Sequence, residues 1–146
     1  MEIIDFFDQE SNTFTYIVYD KDSRDAVVID PVSHTIEVKT YRESHGLHLK
    51  FILETHIHAD HISGAQVLKR TYPGAKVCIS EKIEEVHGLF KDDLELNSFD
   101  LKKSGFNYLV KDNDKIPLGK NHFDIIATPG HTPACVCFLI DNHLFT

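Results

Sequence analysis

Within "ETHIHADHISGA" (54–65), four side chains able to bind a metal ion crowd into six positions: His56, His58, Asp60 and His61. Residues two apart in an extended segment point the same way, so His56 and His58 make one pair. Asp60 and His61 follow where the chain turns, and can face a second point of the same cleft. Imidazole suits zinc, iron, copper and nickel, whereas a carboxylate adds charge and tolerates harder ions. Ala59 is small and Gly64 permissive, which lets such a loop close tightly around an ion. The competing reading is a set of solvated histidines at a helix start, with Asp60 as the cap. Four such side chains in this arrangement favour the metal. A distant contributor lies in "ATPGHTPA" (127–134). His131 there sits between two Pro-bounded turns, with Gly130 expected to allow a bend that a Cβ would hinder.

The elements that must position these residues follow from the apolar pattern. "TFTYIVYD" (13–20) and "DAVVID" (25–30) are β-rich runs split by the charged turn "KDSR", which predicts a hairpin. "SHTIEVKTYRESHG" reads as a helix, with Ser33 or Thr35 as cap and Gly46 placed to stop it. "LKFILET" (49–55) is nearly continuous in apolar residues, the mark of a strand covered on both faces. "ISGAQVLKRTY" spaces Ile62, Ala65, Leu68 and Lys69 as a helix does, closed by Pro73-Gly74. "AKVCIS" predicts a further strand, and "EKIEEVHGLF" a short helix. Residues 91–115 read as polar and irregular, with "VKDNDKIPLG" as a turn. "HFDIIAT" and "ACVCFLI" are two more strands. Strands alternating with helices argue α/β, and the His/Asp loop falls at the carboxyl end of a buried strand, where open α/β sheets bind ligands.

A length of 146 residues fits a single domain, 1–146, with no linker or repeat to divide it. The net charge of −8 and scattered Lys and Arg argue against nucleic acid or an anionic membrane, either of which demands a basic stripe. "MEIIDFFDQE" lacks the basic start and apolar stretch of a secretory signal, and nowhere do about 18 apolar residues run together. Cys78, Cys135 and Cys137 lack CxxC spacing, which suits free thiols in a reducing cytoplasm. Cys135 and Cys137 read as small hydrophobes inside a strand. Asp30 in "IDP" is either a turn former before Pro31 or a group behind the ligands. Thr55 and Thr132 flank candidate ligands and are read as bonding local backbone. His34, His45, His48, His87, His122 and His143 have no ligand-type neighbours, and "KDDLE" is a solvated face. Ser33, Ser63 and Ser80 have no nucleophile-elbow context.

"THIHADH" together with "TPGHTPA" resembles the metallo-β-lactamase superfamily, and "LETHIHADHISGA" is similar to its persulfide dioxygenases (sulfur dioxygenases). The likeness takes in "FFD", "YIVYD", "VVIDPV", the Leu68-Lys69 helix, Phe90, the Phe99-Asp100 region and "TPGHTPACV". It implies an αββα sandwich with the metal at the edge of two sheets. It also implies one Fe(II) held by His56, His131 and an Asp from a later Gly-Asp, with His58, Asp60 and His61 beside the ligands or as a second-metal remnant. The implied substrates are glutathione persulfide and O2, giving sulfite and glutathione.

The nearest other relative, glyoxalase II, implies two Zn(II) ions and thioester (hydroxyacylglutathione) hydrolysis. His56, His58 and His131 would then hold one ion, and Asp60 and His61 would join the second. The chain departs from the family pattern after "NHLFT", where Gly-Asp would come next. It is therefore read as an N-terminal portion of the sandwich, without the C-terminal strands and helices and without that carboxylate. A half-sandwich would expose apolar surface and self-associate, making a homo-oligomer an expected assembly. The third reading is a catalytically silent metal-binding fragment.

Overall fold

In the computed structural model, residues 1–33, 35–56, 63–90 and 105–146 are described, without the side chains of 87–90. Their strands form two sheets. The first has six strands in sequence order: β1 (Glu2–Asp8), β2 (Thr13–Tyr19), β3 (Asp25–Ile29), β4 (His48–Leu53), β5 (Lys76–Ser80) and β6 (Tyr108–Val110). The second holds β7 (Lys115–Leu118), β8 (Asn121–Ala127), β9 (Val136–Ile140) and β10 (His143–Phe145) in the order β10-β9-β8-β7. Helices α1 (Ile36–Ser44), α2 (Ala65–Thr71) and α3 (Ile83–Phe90) complete the described elements.

The predicted hairpin is β2–β3, antiparallel from Tyr16↔Ile29 to Tyr19↔Ala26. Its turn is tied by Asp20, whose Oδ1 accepts the N–H groups of Asp22 and Ser23 at 3.1 and 2.7 Å. β3, β4, β5 and β6 run parallel, so their carboxyl ends share one edge. Strand alternation sorts neighbouring residues to opposite faces. Val18, Val27 and Leu53 enter a core shared with Phe123 and Phe138 of the second sheet. Ile17, Val28 and Ile52 pack instead with Val38 of α1 and Leu68 of α2. The result is helix layer, sheet, sheet. Ile52 and Leu53 are both fully buried, as the apolar run required.

Two expectations need correction, and one strand has no assignment from the sequence pattern. Residues 2–8 form an edge strand that the interleaved Glu2, Asp5 and Asp8 conceal from a hydrophobicity reading. Residues 108–110 and 115–118, read as irregular and as turn, are β6 and β7. β6 is too short to show a period, and Pro117 disguises β7, where it is tolerated because β7 is an edge strand. Cys135 precedes β9 rather than lying within a strand. α1 begins at Thr35 without a side-chain cap bond, while Gly46 ends it at φ +58, the left-handed conformation that glycine accepts. α2 begins at Ala65, and Ile62 lies outside the described residues.

Candidate metal centre

Asp30 and His56 follow β3 and β4 at the carboxyl edge of the parallel strands. The ladder continues past both strand ends, with Asp30 N–H donating to Leu53 O at 2.9 Å and Glu54 N–H to Cys78 O at 3.1 Å. Asp30 takes φ 47, which turns the chain and aims its carboxylate across to Thr55. That carboxylate accepts the Thr55 N–H at 2.7 Å and the Thr55 hydroxyl at 2.8 Å. Both residues are buried. Thr15 braces the turn, donating its hydroxyl to Asp30 O at 2.8 Å and accepting Val32 N–H at 3.2 Å.

The Thr55 hydroxyl also lies 2.9 Å from His56 Nδ1. A hydroxyl has one hydrogen, and a carboxylate only accepts, so that hydrogen goes to Asp30. Towards the imidazole Thr55 must therefore accept, which places the proton on Nδ1 and the lone pair on Nε2. Thr55 thus reaches beyond local backbone, contrary to the expectation for it, and Asp30 stands behind the candidate ligand as well as forming a turn.

His131 comes from the loop between β8 and β9. Thr132 organises that loop locally, as expected. Its Oγ1 accepts Ala134 N–H at 3.2 Å, and its carbonyl accepts Gly130 N–H at 3.2 Å and Cys135 N–H at 3.3 Å. Cys135 Sγ lies 3.2 Å from both Thr132 N and Oγ1. Gly130 is not the hinge expected of it: its φ is not positive, and an added Cβ would meet nothing nearer than Thr128 O at 3.9 Å. Gly64 is the constrained glycine, since a Cβ there would fall 2.0 Å from Val32 O.

The two loops meet. Ring centroids of His56 and His131 are 5.3 Å apart at an interplanar angle of 90°. A metal–nitrogen bond of about 2.0–2.1 Å puts an imidazole centroid ~3.2 Å from the ion, so two imidazoles near a tetrahedral angle stand ~5 Å apart. The centroid separation fits a shared ion, and the lone pair left on His56 Nε2 is the one able to bind it. His58, Asp60 and His61 lie outside the described residues, as does His34. Among the described residues no group of three or more His, Cys, Asp or Glu is gathered for a metal. His45, His48, His122 and His143 are exposed on the surface. Glu54 is the residue that the sequence reading passed over. It is a carboxyl ending an apolar strand, 1% exposed, and burial followed by the charge of Asp30 pushes it well above the usual carboxylate range, against the pull of the Ser63 hydrogen bond.

Residues 9–146 match the sequence profile of the metallo-beta-lactamase superfamily. The chain belongs to that superfamily. Among its metallo-beta-lactamase relatives, glyoxylase B2 of Dictyostelium discoideum is 35% identical over 150 residues, covering 94% of this chain and 51% of that protein. Human mitochondrial persulfide dioxygenase ETHE1 is 34% identical over 139 residues, covering 94% of this chain and 47% of that protein. The crystal structure of ETHE1 from Myxococcus xanthus superposes with a TM-score of 0.79 at 31% identity, covering all of this chain and 56% of that one. The chain thus spans about half the length of the curated relatives it matches. The metallo-beta-lactamase fold expected from the motifs is the one observed.

Proposed function

We propose that this chain carries the imidazole part of a mononuclear Fe(II) site serving persulfide dioxygenation, in which glutathione persulfide, O2 and water give sulfite and glutathione. The reading is carried by the meeting of the His56 and His131 rings in a chain 34% identical to a persulfide dioxygenase. His56 and His131 would be ligands, with His58 and His61 orienting them and Asp60 beside them. Two neutral imidazoles would suit ferrous iron with open positions once a carboxylate, which the resemblance assigns to a Gly-Asp outside these residues, completes the set. Bound there, the iron would supply activation of O2 for transfer to the outer sulfur. The chain's own part is positional: Asp30 fixes Thr55, and Thr55 holds His56 in its Nδ1–H form.

Residues 1–146 are taken as one domain because side chains of both sheets share a core. The free thiols of Cys78, Cys135 and Cys137 support a cytoplasmic setting. No helix among the described residues is long and apolar enough to cross a membrane.

The 35% identity to glyoxylase B2 supports a second reading, two zinc ions and thioester hydrolysis, using His56, His58 and His131 for one ion and Asp60 and His61 for the other. Zinc would then supply hydroxide near neutral pH. Anaerobic loading with Fe(II), followed by glutathione persulfide in an oxygen electrode, separates the two. The lead reading expects one O2 consumed per sulfite formed, at about one iron per complete protein, with the carboxylate ligand in place. Thioester hydrolysis with two zinc ions and no oxygen uptake would replace it with the hydrolase. Weak metal binding with neither activity would leave a silent metal-binding module.

A further inference from the structure

In sequence, Glu54 and Ser63 bracket the stretch that carries His56, His58, Asp60 and His61. We infer that Glu54 is a positioning residue for this stretch: its buried carboxyl takes the hydrogen of the Ser63 hydroxyl and so clasps the stretch's two feet together.

Four observations converge on the clasp. Glu54 is 1% exposed directly after β4, where a carboxyl would be costly without a structural return. Ser63 Oγ donates to Glu54 Oε1. Ser63 Oγ in turn accepts Ala65 N–H at 3.0 Å, so the clasp also satisfies a donor in the first turn of α2. The foot at Ser63 is seated by backbone: Val32 and Ser63 form an antiparallel bridge, and Gly64 N–H donates to Pro31 O at 2.6 Å.

The other foot is seated on the same β3–α1 connection, through Thr55 and Asp30. Both ends of the ligand loop therefore rest on residues 30–32, and the Glu54–Ser63 bond ties one end directly to the other. Fixing the separation of the feet restricts the conformations open to residues between them, as closing any short loop does. Ligands whose flanking chain is already fixed bind an ion more tightly than ligands that must be ordered at the moment of binding.

The metal part of this inference rests on the ligand assignment proposed above, so the test carries one readout with metal and one without. In the metal-free 146-residue chain, hydrogen exchange of the Ala65 amide should quicken about tenfold in Glu54→Ala and return to the original rate in Glu54→Gln, whose amide oxygen can accept from Ser63. With Co(II) as the probe, Glu54→Ala and Ser63→Ala should each weaken binding by about 10–100-fold. The double variant should be no worse than either single, and the visible band positions should not move. Glu54→Gln should bind as the original chain does.

Unchanged exchange in Glu54→Ala would overturn the clasp, as would unchanged Co(II) affinity in Ser63→Ala. Loss of binding with shifted bands in Glu54→Gln would overturn it too, because the carboxylate would then be a ligand. If the unaltered chain bound no Co(II) while the exchange pattern appeared as expected, the ligand assignment would fail and the clasp would stand. Circular dichroism separates a folding failure in Glu54→Ala, and Ser63→Ala makes the same test at a half-buried residue.

Discussion

The backbone N–H of Val136 donates to the carbonyl of Thr55 at 2.9 Å. This bond joins the first residue of β9, in the second sheet, to the residue before His56, in the first. It ties the strand that follows the His131 loop to the residue that precedes His56, and the two imidazoles meet edge to face at 5.3 Å. The site is thus built across the edge of a sandwich, from the ends of strands that never pair.

The Thr55 hydroxyl is expected to matter through the tautomer it imposes. Thr55→Val keeps the branched shape and removes the acceptor at His56 Nδ1, and metal affinity should fall by about 10–100-fold. Thr55→Ser should restore it, since serine supplies the same oxygen to Asp30 and His56. Isothermal titration with Co(II) checks both. A Val variant with undiminished affinity would remove Thr55 from the account.

Gly64 and Gly130 should respond oppositely to alanine. At Gly64 the new Cβ would collide with Val32 O, which is backbone and cannot swing away, so Gly64→Ala should cost about 3 kcal/mol by urea unfolding. At Gly130 the nearest atom lies at 3.9 Å, and Gly130→Ala should stay within about 0.5 kcal/mol of the unaltered chain. Equal losses at the two positions would contradict the geometry of both loops.

Cys78 gives a pH dependence with a definite sign. Burial pushes its thiol up from 9.0 to about 12. The unfolded chain therefore releases this proton first as pH rises, and the thiol's share of stability is complete below pH 9 and lost between about 9 and 12. Across that window the fold should lose stability about 1.4 kcal/mol per pH unit faster than Cys78→Ala does. Equal slopes in the two proteins would show that the thiol ionises as readily folded as unfolded. At pH 8 Cys78 should also resist alkylation, while the half-buried Cys135 reacts sooner.

Much of the architecture was legible because it follows from short-range pattern. The hairpin announced itself through "KDSR" between two β-rich runs, and β4 through an apolar stretch too dense for a one-sided strand. The candidate ligands stood out by type and spacing. Elements that satisfy their context rather than a period stayed hidden: β1 with its acidic residues, three-residue β6, and β7 behind Pro117. Glu54 was hidden for the opposite reason, since one carboxyl at the end of an apolar run looks like a strand terminus. What the letters could not carry was distance. Nothing in "THIHADH" or "TPGHTPA" says that their imidazoles stand 5.3 Å apart, beside a backbone bond from Val136 to Thr55.

Whether His56 and His131 share one ion can be read from iron-edge X-ray absorption of the Fe(II)-loaded chain and of its His131→Ala variant. The imidazole scattering around iron should fall by one ring in the variant, with weaker binding. Unchanged imidazole scattering and affinity in His131→Ala would contradict the shared ion.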